Sequence, residues 1–67
     1  MEGWTLIYTG NKIHEVDFIK GLLEDNNIVS VVVNKQDSVY FIGDIELYVS
    51  THDAFNANQL INNLRGE

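Results

Sequence analysis

The polar run Asn34-Lys35-Gln36-Asp37-Ser38 gathers amides, an ammonium, a carboxylate and a hydroxyl into five consecutive positions. Such a set can hold a small polar ligand, with Lys35 meeting an anionic group. Asn, Asp and Ser are also the residues a turn prefers, because their side chains bond nearby backbone. Other chemistry is thin. Ser38 has no histidine at an offset that would make it a nucleophile. His14 with Asp17, and His52 with Asp53, are adjacent donor–acceptor pairs such as helix starts carry, and neither histidine has companions at metal-ligand spacing. Carboxylate spacing alone places no two acids across a cleft for acid–base work. A domain this thin leaves little room for a ligand pocket of about 300 Å³ or more. The residues imply no catalytic site, no metal and no cofactor, and the chain reads as a non-enzyme.

The elements that must position this run are marked by apolar spacing. Trp4 to Thr9 mixes β-branched, aromatic and aliphatic residues and stops at Gly10-Asn11, which reads as a strand and a turn. Asn11 is then placed to cap a helix from about Lys12. Ile13, Val16, Ile19 and Leu23 recur at helical spacing, with Leu22 widening the stripe. Asn26-Asn27 suits the left-handed backbone of a helix end. Ile28 to Val33 is nearly all β-branched and reads as a strand. After the polar run come Val39 to Ile42, then Gly43-Asp44, then Ile45 to Ser50. Gly43 suits the first central position of a tight hairpin turn, so either 39–42 pairs with 45–49, with short pairing the preferred reading, or 34–44 is one long loop. A last helix runs from about His52 to Leu64, capped by Ser50 or Thr51, with Ala54, Ala57, Leu60, Ile61 and Leu64 as its stripe and Gly66 beyond its end.

Two amphipathic helices and one sheet bury their apolar faces most simply as two layers. The expected fold is α+β, a two-layer ferredoxin-like plait of order β-α-β-β-α, with an antiparallel sheet covered by both helices on one face. Placing the third strand between the first two leaves the outer edge of the first strand open as a template for another strand.

Composition narrows the partners. The 67 residues read as one α+β domain, 1–67, with ten acidic against four basic residues and no cysteine. Too few cations are present for a phosphate-binding face, so nucleic acid is not expected, nor is an anionic membrane surface. No apolar run nears the roughly 20 residues of a spanning helix, and Met1-Glu2-Gly3-Trp4 is not the basic start of a secretory signal. A cytoplasmic location follows as an expectation. A core this small contributes about 3–5 kcal/mol net and often needs a staple; with disulfides excluded, oligomerisation into a homodimer is the remaining common device.

Several aromatics lie off the stripes. Phe18 falls more than a quarter turn from the centre of its helix's stripe and Phe55 falls almost opposite its own. Gly21, near Phe18, would allow another chain to approach closely. Trp4 and Tyr8 alternate to one side of the first strand, and Tyr48 shares with Glu46 the side away from the helices. Single exposed apolar residues are ordinary, and aromatic pairs commonly just stabilise sheets. The functional alternative is a contact surface for protein made by Trp4, Tyr8, Phe18, Tyr48 and Phe55.

The run Trp4-Thr5-Leu6-Ile7-Tyr8-Thr9, the helix segment Lys20-Gly21-Leu22-Leu23-Glu24, the run Asn34 to Ser38, Gly43, and Ile45-Glu46-Leu47-Tyr48-Val49 together resemble a bacterial family of unknown function described as "putative prokaryotic signal transducing protein", in its Bacteroidetes-type form. The resemblance covers nearly the whole chain and is most specific at Asn34, Lys35, Gln36, Asp37 and Ser38. It implies a compact plait similar to the nitrogen-regulatory PII-type proteins, and it implies no activity. Nothing in the chain matches the long loop through which PII-type proteins bind nucleotide. The combined reading is a non-enzymatic interaction or regulatory module that self-associates through the open strand edge or the sheet face. The alternative is a small-molecule sensor binding a polar or anionic ligand at the 34–44 loop.

Overall fold

A computed structural model of the chain describes residues 2–37, 39–40 and 42–64. Three strands, β1 (Trp4–Gly10), β2 (Ser30–Asn34) and β3 (Ile45–Ser50), form an antiparallel sheet of order β1-β3-β2. Two helices, α1 (Ile13–Asp25) and α2 (Ala54–Leu64), pack on one face of it. The shortest dimension is 18 Å, the depth of one helical layer on one sheet. Among the described residues this is the expected ferredoxin-like plait without a fourth strand, so β1 and β2 are both edges.

The core follows from β3. Ile45, Leu47 and Val49 are fully buried, and the alternate residues Glu46, Tyr48 and Ser50 face the side that carries no helix. Val16, Ile19 and Leu23 of α1 and Ala57 and Ile61 of α2 close over them. Ile13 and Leu64, at the ends of the helical stripes, stay about half exposed, at 43% and 46%.

The end of α1 is specified locally. Asn27 takes φ 63°, the amide of Asn27 donates to the carbonyl of Glu24 at 3.0 Å, and that of Ile28 donates to Leu23 at 2.9 Å. This is the paired bonding of a Schellman ending, with its apolar contact supplied by buried Ile28 against Leu23.

Four local expectations are corrected. Lys12, in extended conformation, stands at the start of α1 and no side chain caps it; the Asn11 carbonyl receives the Gln36 side chain instead. Strand β2 begins at Ser30, because Ile28 and Val29 are used to leave the helix. The last helix opens with a 3-10 turn at Thr51–Asp53, without a side-chain cap from Ser50; the Thr51 hydroxyl meets that of Thr5 at 3.0 Å. Val39, Tyr40 and Ile42 form no strand of their own. The β2–β3 ladder simply runs on: the Lys35 amide donates to Asp44 and the Asp37 amide to Ile42, both at 2.9 Å, in the register set by Asn34 opposite Ile45. Phe41, Ser38 and Gly66 lie outside the described residues.

Candidate functional site: the uncovered sheet face

Register decides which side chains share the face that no helix covers. Leu6, Tyr48 and Val31 stand in one row across the sheet; Thr9, Glu46 and Val33 stand in the next, and Trp4 is opposite Ser50. A bulge at Ile7 breaks the alternation of β1, so Tyr8 is opposite Leu47 and not opposite the open side. The expectation that Trp4 and Tyr8 share a side is thereby corrected. An extra residue in one strand moves everything after it to the other face.

The ions on this face are held together. The Tyr48 hydroxyl donates to Oε1 of Glu46 at 2.8 Å, and the Lys35 ammonium lies 3.2 Å from the same oxygen. Glu46 and Tyr48 are two apart on β3 and so point the same way. The hydrogen bond from Tyr48, then that from Lys35, holds the Glu46 carboxyl below its usual range. Glu46 in turn raises Lys35, by hydrogen bond first and charge second, and raises Tyr48 by hydrogen bond. The Glu46 side chain is only 16% exposed although no helix packs on that face. The result is an apolar face of Trp4, Leu6, Val31, Val33 and the Tyr48 ring on which the one carboxylate contributed by the strands, Glu46, is paired with Lys35.

The polar run turns out to be the frame of the hairpin beside this face. The Asn34 side chain accepts from the Gln36 amide at 2.8 Å. The Gln36 amide group donates to the Asn11 carbonyl at 2.6 Å and reaches the Gly43 carbonyl at 3.4 Å, tying the hairpin to the β1–α1 turn. Oδ1 of Asp37 accepts from Val39 at 2.7 Å and Tyr40 at 3.0 Å, and these backbone bonds, Tyr40 first, lower the Asp37 carboxyl. Ser38 lies outside the described residues. The braced hairpin presents Val39, Tyr40 and Ile42 to solvent, each about 70% exposed. Sequence reasoning offers residues 39–42 as a short strand or as part of a long loop and not as a contact surface; their signal is an apolar run just past turn-forming residues.

The remaining aromatics go elsewhere. Phe18, with Tyr8, His14, Ile19, Ile61 and Leu64, lines an open apolar groove of about 470 Å³ between the N-terminal half of α1 and the end of α2. Such a groove exists despite the thinness of the domain. Phe55 is 72% exposed on the outer side of α2, and Gly21 has open space around its Cα. The structure therefore brings together Trp4, Tyr48, Lys35 and Glu46, and separates Tyr8, Phe18 and Phe55 from them.

The family described as "putative prokaryotic signal transducing protein" matches residues 4–65. The chain belongs to this family. The matched span includes every strand, both helices and the hairpin, so the uncovered face and its ion network lie wholly inside the family domain. No curated protein matches this family member, and no solved structure does. Among the described residues, no helix is long and apolar enough to cross a membrane, and no three His, Cys, Asp or Glu side chains are grouped to hold a metal.

Proposed function

We propose that this chain is a non-enzymatic interaction module of a bacterial signalling system, acting in the cytoplasm and docking protein through its uncovered sheet face. The observation that carries the reading is the face itself: half-buried Trp4, Val31, Val33 and Tyr48 beside Leu6, with Glu46 neutralised in advance by Lys35 and Tyr48. A surface that must be covered gains by having no unpaired charge to desolvate. The hairpin at one end of the same sheet exposes Val39, Tyr40 and Ile42 as well. The alternative, a sensor at the 34–44 loop, draws support from Lys35, whose side chain is 58% exposed. It loses support because Asn34, Gln36 and Asp37 already bond within the chain.

Affinity capture from the lysate of the producing bacterium tests the docking reading. Leu6→Lys, which puts a charge on the face at an edge strand, is expected to lose the captured protein, and Phe55→Lys on α2 to keep it. Equal capture by both variants would count against the sheet face.

A further inference from the structure

We propose that the groove between α1 and α2 is a binding site for a small hydrophobic amine, a molecule with an apolar body and one ammonium group. The groove lies on the helical side of the sheet, away from the uncovered face, and its role is independent of docking there.

Its walls are those of a small-molecule site. Tyr8 and Phe18 supply aromatic rings, Ile19, Ile61 and Leu64 supply aliphatic surface, and His14 and Glu15 are the polar groups. A mostly apolar lining with a few polar groups, enclosing about 300–1,000 Å³, is the usual make-up of such a site. The groove, at about 470 Å³, lies within that range. Phe18 is 62% exposed and Leu64 46%, so a ligand has apolar area to cover that the fold itself leaves open.

Length argues against a helix of another protein as the occupant. From His14 to Ile19 α1 advances about 8 Å, and from Ile61 to Leu64 α2 advances about 5 Å. A docked amphipathic helix uses anchors at i, i+3, i+4 and i+7, about 10 Å from first to last. Both walls are shorter than that. A second copy fits poorly too, since it brings a net charge of −6 to a groove whose charged residue is an acid.

Charge sets the class of ligand. Among the described residues lining the groove there is one acid, Glu15, and no lysine or arginine. The chain as a whole carries −6, so cations gather at its surface and anions are repelled. An ammonium beside Glu15 donates a charge-assisted hydrogen bond to the carboxylate. The faces of Tyr8 and Phe18 attract a cation that lies within about 6 Å of the ring. The apolar body then covers Ile19, Ile61 and Leu64. A carboxylic acid of the same shape would meet Glu15 as a like charge, and an alcohol would gain only the apolar walls and a neutral hydrogen bond.

Amide shifts at about pH 8, where an ordinary imidazole is neutral, test this with three probes of one shape: phenethylamine, phenethyl alcohol and phenylacetate. Probes this small bind in the millimolar range, so each is titrated to about 20 mM. Phenethylamine is expected to move Tyr8, Phe18, Ile61 and Leu64 and to leave Trp4 and Val31 of the sheet face still. It is expected to bind at least about threefold more tightly than phenylacetate, with the alcohol between them. Glu15→Gln is expected to abolish that preference, and Phe18→Ala to weaken all three probes. Both residues are exposed on α1, so either variant keeps the core. No shift at the groove, an alcohol or acid bound as tightly as the amine, or a preference that survives Glu15→Gln overturns the proposal. Groove amides that move on dilution of the chain alone assign the groove to a second copy and overturn it. So does a basic amphipathic helical peptide that moves them at about one-tenth of the amine's concentration.

Discussion

Leu47→Ala is expected to leave the chain largely unfolded at room temperature. Leu47 is fully buried on the central strand, opposite Tyr8 on one neighbour and Val32 on the other, and both helices close over it. Truncating a buried leucine costs about 2–5 kcal/mol, because the transfer free energy of the lost methyl groups adds to the cavity they leave. A scaffold of this size has about 3–5 kcal/mol in total. The loss is therefore comparable with the whole stability, and a central strand has little freedom to collapse into the gap. Circular dichroism and urea titration check it: the native baseline should be shortened or absent. Leu6→Ala, on the uncovered face at 44% exposure, is the matched control and should unfold near the native midpoint. If both variants unfold alike, the assignment of one dry face and one open face is wrong.

Gly43→Ala is expected to loosen the hairpin while leaving the core in place. Gly43 has φ +125°, a conformation that side-chain-bearing residues rarely adopt. An added Cβ would stand 2.7 Å from the Lys35 carbonyl oxygen and 3.2 Å from Cα of Gln36. Both obstacles are backbone and cannot swing aside. Forcing a non-glycine residue into such a region costs about 1–3 kcal/mol. The strand facing Gly43 carries the Lys35 ammonium and the Gln36 brace, so the strain falls on the polar run and the exposed tip. Amide exchange should rise at Lys35 and Asp37, whose amides bond across the hairpin, before it rises at Leu47 or Val49. Unchanged protection at Lys35 and Asp37 would show that the hairpin is not held by this close approach.

Much of the fold is legible in the residues, and the misses have physical causes. Alternation in Ile45-Glu46-Leu47-Tyr48-Val49 gives β3 its buried and open sides directly, since nothing interrupts the period of two. The stripe of Val16, Ile19 and Leu23, and the left-handed Asn27 after it, are local signals and read true. Tyr8 is misplaced because a bulge leaves no mark in Trp4-Thr5-Leu6-Ile7-Tyr8, where every residue suits a strand on either side. Asn11 is a sound cap by type, yet its carbonyl serves Gln36, a partner 25 positions away that no window along the chain reveals. The composition of the Asn34-to-Ser38 run draws the eye to it as a polar loop. What composition does not show is that the carboxylate and amides are turned inward as a brace, leaving the apolar tip as the presented surface. The Lys35–Glu46–Tyr48 network joins one residue of the run to a strand, and half of it, Glu46 beside Tyr48, is readable from spacing alone.

The uncovered sheet face is the surface expected to meet another protein. Backbone amide and Trp4 indole resonances followed as the captured protein is titrated in address this residue by residue, and Trp4 is the sole tryptophan. Shifts that change on titration are predicted at Trp4, Leu6, Val31, Val33 and Tyr48, with Val39 and Tyr40 following, while Gly21 and Phe55 hold still. Changes confined to the outer sides of α1 and α2, or no change at saturation, would contradict docking through the sheet face.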